Sequence, residues 1–334
     1  MLYKCGGKAL EMNRFIQPAM MILRFGEPVG CRHGSVKQRS HSQGFLVSML
    51  SSANQSSMAA LSAEFRSRVA FQPIYAPEGH LHGVEALVRF FESDQRQVRN
   101  GLPSMAASSI VSSVPSFGTA SIQALDETAV STERVFGEAR QDGWIMDLDF
   151  FCREEILSEA SRQRWNHLLF INVCPESLLD PDHSVGRTDA LVEQAGMRKE
   201  QIVLEITEET AIHNYDLFAR TVNHYRDQGY RIAIDDFGSG YAGLKMLASI
   251  QPDYLKIDRY FIQDIHREPV KQTIVDALVN ICQRLDIALI AEGIENSSEF
   301  HSVLNLGIEL RQGFFLGRPA FELQDPIKSG SCSG

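Results

Sequence analysis

From residue 65 onward the chain alternates between two hydrophobic patterns. Short apolar runs of strand length recur at Val69–Ala76, Gly83–Phe91, His167–Val173, Gln201–Thr207, Arg231–Asp236, Tyr254–Ile257, Ala288–Ala291 and Leu310–Leu316. Between most of them lie amphipathic stretches of helical period, such as Leu217–Gln228 and Val270–Leu285. Eight strands interleaved with helices predict an α/β protein with a parallel sheet. At this count the sheet is expected to close as a TIM-like (β/α)8 barrel, which needs about 250 residues. An open doubly wound sheet is the alternative, and it is disfavoured because no glycine-rich phosphate loop follows an early strand.

Two stretches break the rhythm. Residues 1–64 read as an irregular N-terminal extension, expected to be poorly ordered, with a linker rich in Ser, Ala, Asn and Gln at 51–60. Residues 95–131 are rich in Ser, Ala and Pro and show neither a strand nor an amphipathic helix, so they read as a surface insertion. The barrel is therefore expected over 65–325, followed by a short tail at 326–334.

Charge narrows the function. The net charge is −10, although the first fifty residues hold seven basic side chains against two acids, so the acidity is concentrated in the barrel. Such a surface does not suit non-specific binding to DNA or RNA, which neutralises phosphates with Lys and Arg. It does not exclude a small phosphate ligand, because bound cations can supply positive charge. The six cysteines form no CxxC pair, which fits reduced thiols. No apolar run approaches the 18–20 or so residues that span a bilayer, and no secretory signal is visible, so a cytoplasmic location is expected.

The carboxylates supply the candidate chemistry. Strand after strand carries an acid, an amide or a lysine near its end: Glu85 in VEALVR, Asn172 in FINV, Glu205 in LEIT, Asp235 and Asp236 in IAIDDFG. Lys256 and Asp258 follow in YLKID, Glu292 and Glu295 in IAEGIE, and Gln312 in LRQGF. The C-terminal ends of barrel strands converge on one mouth, where active sites are built. Five or six carboxylates there cannot all remain ionised without a positively charged guest. Oxygen-only ligands select hard cations such as Mg²⁺ or Mn²⁺, and the number of ligands points to two ions, the usual arrangement for phosphodiester cleavage. Any one of these acids alone would read as a solvated rim residue, and the Asp235–Asp236 pair as a turn or helix cap; the case rests on their co-occurrence.

The strings FQPI, VEALVR, INVCPESL, LEITEE, IDDFGSGYAGL, DYLKIDRYFI, IAEGIE and QGFFLGRP together resemble the EAL family of cyclic di-GMP (c-di-GMP) phosphodiesterases, over about residues 65–322. The resemblance implies a first metal held by Glu85, Asn172, Glu205 and Asp235, and a second by Asp235, Asp236 and Glu292. It implies that Lys256 contacts the attacking water, that Lys256 or Glu292 serves as base, and that Glu295 supports them. Gln72, Arg89, Asp258 and Gln312 would hold the dinucleotide, and Glu208 would anchor the DDFGSG loop that leads to a homodimer interface. The expected product is linear 5′-pGpG. Cys174 stands where the family usually has Ser and is given no role. The chain between Glu85 and Asn172 is longer than the resemblance implies. A c-di-GMP receptor or protein-binding module on the same barrel is the second reading, and a hydrolase of another phosphodiester the third.

Overall fold

The computed structural model describes residues 65–93, 129–179, 186–207, 215–238 and 243–322. The expected N-terminal extension, nearly all of the expected insertion, Glu208 and the 326–334 tail lie outside the described residues. Nine strands form one sheet: β1 Phe65–Tyr75, β2 Leu81–Glu92, β3 Ala129–Val130, β4 Leu168–Asn172, β5 Ile202–Thr207, β6 Arg231–Phe237, β7 Tyr254–Ile257, β8 Ala288–Ala291 and β9 Leu310–Arg311. Eight of them close a barrel, in the order β1, β2, β4, β5, β6, β7, β8, β9 and back to β1.

Two details correct the expectation. The barrel is not uniformly parallel: β1 runs antiparallel to both β2 and β9, while β2, β4 and the later strands pair in parallel. The cause is chain length. Only Ala76–His80 join β1 to β2, whereas a parallel crossover needs a dozen or more residues. The second correction is Ala129–Val130, which falls within the stretch expected to lack strands and pairs with Phe90 and Phe91 of β2.

Helices cover the outside: α1 Thr132–Gln141, α2 Ile145–Arg162, α3 Pro175–Leu179, α4 Arg187–Gln194, α5 Tyr215–Asp227, α6 Gly243–Ile250, α7 Arg259–Ile262, α8 Pro269–Leu285 and α9 Ser297–Asn305. Their starts follow local rules. The Ser131 hydroxyl accepts the Arg134 N–H to cap α1, and the Asn296 side chain accepts the Glu299 N–H to cap α9. α8 buries Val275, Leu278, Val279 and Cys282, the 3–4 spacing of a helix with one face on a core.

The apolar interior has two parts. A large layer lies between strands and helices, with Leu169, Ile171, Leu204, Ile232, Ile234, Leu255 and Ile257 contributing from the barrel. A smaller plug fills the barrel itself: Ile74, Phe170, Val203, Ala233, Tyr254, Ile290 and Leu310. That plug decides where the site lies. Side chains alternate across a strand, so the next inward position is two residues on. Two residues past Phe170, Val203, Ala233, Tyr254, Ile290 and Leu310 stand Asn172, Glu205, Asp235, Lys256, Glu292 and Gln312. On the antiparallel β1 the step runs backwards, from Ile74 to Gln72, which is in register with Glu85 on β2. The polar ring is the layer stacked directly on the apolar plug.

Candidate active site

Lys256 occupies the centre of this ring. It is 1% exposed, and its Nζ lies 2.6 Å from Glu205 Oε1, 2.7 Å from Glu292 Oε1, 3.0 Å from Asp235 Oδ1 and 3.4 Å from Glu85 Oε2. Burial opposes the ammonium charge, but Asp235, Glu205, Glu292 and Glu85 outweigh it and hold the lysine well above its ordinary pKa. One cation cannot balance four carboxylates. Burial, reinforced by neighbouring acids, drives Glu205 and Glu292 well above the usual carboxylate range against the pull of Lys256.

The amides complete the ring. Asn172 Nδ2 donates to Glu85 Oε1 at 3.2 Å, and Gln312 Nε2 donates to Glu85 Oε2 at 2.7 Å. Gln72 Nε2 donates to the Gly317 carbonyl at 3.3 Å. Glu85 sits mid-strand rather than at a strand end, because β2 continues alongside β1 to Glu92.

Asp235 and Asp236 need a further device. Consecutive strand residues normally point to opposite faces, yet both of these line the same cavity of about 290 Å³. The β6–β7 register shifts between Ile234 and Phe237, and Asp236 adopts φ 52°, in the left-handed region. A bulge of this kind re-aims a side chain, here bringing both carboxylates to the mouth. Ligand atoms of Asp235, Asp236 and Glu292 lie within 4.8 Å of one another, so these three could hold a metal ion. Loss of solvent, followed by the proximity of Asp235, pushes Asp236 up to about 6.

The same cavity is lined by Gln72, Glu85, Lys256, Asp258, Arg259, Glu295, Gln312 and Phe314. Asp258 also caps α7, accepting the Tyr260 N–H at 2.8 Å. Glu295 pairs with Arg259 at 2.7 Å, at the rim rather than in the ring. Arg89 is not brought into this cavity. It follows Glu85 by four residues on the same strand face, roughly 13 Å further along, and lines a separate, mostly apolar cavity of about 800 Å³ with Asn172 and Thr207.

Two contacts at the site were not legible in the sequence. The Glu299 carboxylate accepts the Glu295 N–H at 2.9 Å and the Asp264 N–H at 3.0 Å, tying the loop after β8 to the turn after α7. The Asp149 carboxylate accepts the Cys174 N–H at 3.0 Å, two residues beyond Asn172. The sequence offered little signal for Asp149, because its helix buries residues around most of its circumference and no single apolar face sets the acid apart.

The residues fit hard cations. The donors are carboxylate and amide oxygens alone. Beyond its ion pair with Lys256, neither Glu205 oxygen has a hydrogen-bond donor among the described residues, although Glu205 is 1% exposed. A buried acceptor in that state calls for a further positive partner.

Comparison with known proteins agrees. Residues 118–319, more than half of the chain, match the sequence model of the EAL domain; that match begins beyond β1, β2 and Glu85. Cyclic di-GMP phosphodiesterase PdeR of Escherichia coli is 30% identical over 184 residues, covering 54% of this chain and 28% of that protein. Cyclic di-GMP phosphodiesterase NbdA of Pseudomonas aeruginosa is 29% identical over 256 residues, 75% of this chain and 28% of that one. The blue light- and temperature-regulated antirepressor BluF of Escherichia coli is 30% identical over 175 residues, 52% of this chain and 43% of that one. The chain thus spans less than half the length of each of these relatives. Among solved structures, a standalone EAL protein from Vibrio cholerae O395 with c-di-GMP bound superposes with a TM-score of 0.60, at 26% identity, over 80% of this chain and 99% of that one. The manganese and c-di-GMP complex of Klebsiella pneumoniae BlrP1 at pH 6 gives 0.60 at 30% identity, over 76% and 56%. With acids ringed at the barrel mouth, one reversed strand in an otherwise parallel wall, and a sequence match over most of its length, the chain belongs to the EAL domain family.

Proposed function

We propose that this protein is a metal-dependent phosphodiesterase that opens c-di-GMP to linear 5′-pGpG. The observation that carries the reading is the buried ring of Glu85, Glu205, Asp235 and Glu292 around a single lysine, which leaves more negative charge than Lys256 can balance. Two Mg²⁺ or Mn²⁺ ions fit that excess, one held by Glu85, Asn172, Glu205 and Asp235 and the other by Asp235, Asp236 and Glu292. When bound, such ions lower the pKa of water and neutralise charge on a phosphodiester. The relatives named for this activity and the neighbouring structures with c-di-GMP bound support the choice of substrate.

The chain's own residues then divide the work. Hydrolysis adds water across one P–O3′ bond: the hydroxyl oxygen goes to phosphorus and a proton ends on the 3′ oxygen. Lys256 stays protonated at neutral pH and can orient the attacking oxygen and offset charge developing on the phosphate. Glu292, 2.7 Å from Lys256 and with raised proton affinity, can take the proton from the attacking water while Lys256 keeps its own. Gln72, Asp258 and Gln312, which line the cavity, bind the dinucleotide, and Glu295 supports the Glu292 loop. Arg89, further along β2, offers a phosphate two parallel N–H donors. We assign the barrel to residues 65–325 and a homodimer to the active form, to be checked by light scattering.

The test is product analysis after incubating the purified protein with c-di-GMP and Mg²⁺ or Mn²⁺. Turnover to pGpG, abolished in Glu85→Ala, is the expected result. Absence of metal-dependent turnover in the parent protein overturns the reading. The similarity to BluF favours one other reading, a barrel that binds a partner protein instead; c-di-GMP bound without turnover, or not bound at all, would support it.

A further inference from the structure

Next to the turn that leaves β4 lies a buried ion pair that the chemistry above does not use. Asp149 and Arg153 stand one turn apart on α2, and their side chains are 3% and 1% exposed. One Asp149 oxygen pairs with Arg153 Nη2, and the other accepts the Cys174 N–H at 3.0 Å. Arg153 Nη1 donates to the Thr188 hydroxyl on α4 at 2.8 Å. Three elements are thus tied through this ion pair: α2 and the turn leaving β4 at the carboxylate, and α4 at the guanidinium.

That turn carries Asn172. Its side-chain nitrogen is engaged by Glu85, so its amide oxygen is the atom it offers to the mouth. Val173 N–H is held by the Glu205 carbonyl at 3.0 Å, and Cys174 N–H by Asp149. Immediately beyond, the Cys174 carbonyl accepts the first N–H groups of α3, from Ser177 and Leu178, so the backbone turns sharply within two residues of Asn172. A neutral amide oxygen attracts a cation less strongly than a carboxylate does, so its contribution depends more on being held in place. Groups one step removed from a metal commonly set affinity in this way. A buried carboxylate fixed by a guanidinium is a rigid acceptor, because neither partner can leave without stranding the other's charge.

We infer that Asp149, locked by Arg153, is a positioning residue: it fixes the turn after β4 and so presents the Asn172 amide oxygen to the divalent cation. The inference rests on the proposed metal site but not on the identity of the substrate.

The experiment compares two double variants of the full chain by calorimetric titration with Mn²⁺ alone, without nucleotide. Asp149→Leu with Arg153→Met replaces the pair by apolar side chains of similar size, a change that buried pairs often tolerate, and removes the acceptor for Cys174 N–H. Asp149→Asn with Arg153→Met removes the same charges but keeps that acceptor. The expected result is Mn²⁺ affinity weakened roughly 10- to 100-fold in the Leu/Met protein and near the parent value in the Asn/Met protein. Equal affinities in both, whether unchanged or equally reduced, overturn the inference. If thermal melts show the Leu/Met protein unfolded, Asp149→Ala with Arg153→Met decides: it removes the same acceptor for Cys174 N–H with a smaller side chain, and unchanged Mn²⁺ affinity then overturns the inference. Normal Mn²⁺ binding by the parent without c-di-GMP turnover would count against the proposed function alone. No Mn²⁺ binding by the parent would overturn both.

Discussion

At the scale of single residues, Asp236 shows most sharply how local geometry makes the chemistry. Its left-handed backbone, φ 52°, is one that Asp and Asn tolerate and β-branched residues do not. Asp236→Asn should therefore fold normally. It also removes a carboxylate whose pKa is pushed up to about 6, so at pH 8 the metal-free protein should melt no lower than the parent. The gain in melting temperature on adding Mn²⁺ should shrink. Asp236→Val should destabilise by about 1–2 kcal/mol through backbone strain alone, read as a lower melting midpoint without metal. Tandem acids after an apolar run are plain in the sequence. The bulge that turns both to one face is not, because simple alternation sends neighbours to opposite sides. Arg89 shows the converse: it shares the VEALVR string with Glu85, yet the long β2 carries it past the cavity that Glu85 lines.

At the scale of elements, the loops after β8 and β9 are locked together where Gly313 meets Ile294. The Ile294 N–H donates to the Gln312 carbonyl at 3.2 Å, and the Phe315 N–H to the Ile294 carbonyl at 3.0 Å. A Cβ on Gly313 would fall 2.2 Å from the Ile294 oxygen. Gly313→Ala should therefore separate the two loops and cost about 1–3 kcal/mol of stability. It should also weaken Mn²⁺ binding, because Glu292 and Gln312 flank this contact; melting and titration together check both effects. The apolar runs placed β4 to β8 within a residue or two, since strands buried by helices carry their identity in composition. The direction of β1 was missed because hydrophobic pattern carries no polarity. The five-residue connection to β2 was the signal for it, and the eight-strand count masked it.

At the scale of the whole molecule, the barrel stores unfavourable charge. Glu205, Glu292 and Asp236 all have folded pKa values above their unfolded ones, so the folded state binds more protons than the unfolded state across that interval. Stability must then fall as pH rises. The loss through Asp236 runs from its ordinary value near 4 to about 6, and Glu205 and Glu292 extend it well above 4.5. In chelator-treated protein the melting temperature should decline from pH 5 to pH 8. Adding Mn²⁺ at one hundred times its dissociation constant at pH 8 should restore about 2.7 kcal/mol there, and the same concentration should restore less at pH 5. A flat profile in the metal-free protein would contradict this account of the ring.

The two-residue step from apolar plug to polar ring also bears on which changes of chain length the protein can absorb. A single residue inserted or deleted within a strand would reverse every side chain beyond it, removing one ring member from the mouth and one plug member from the interior together. Segments that begin past the ring are under no such constraint. The long span between Ser93 and Ala129 starts eight residues after Glu85, beyond the reach of that coupling. Length variation in this barrel should accumulate outside the strands, and the ring should be kept or lost as a unit with the fold.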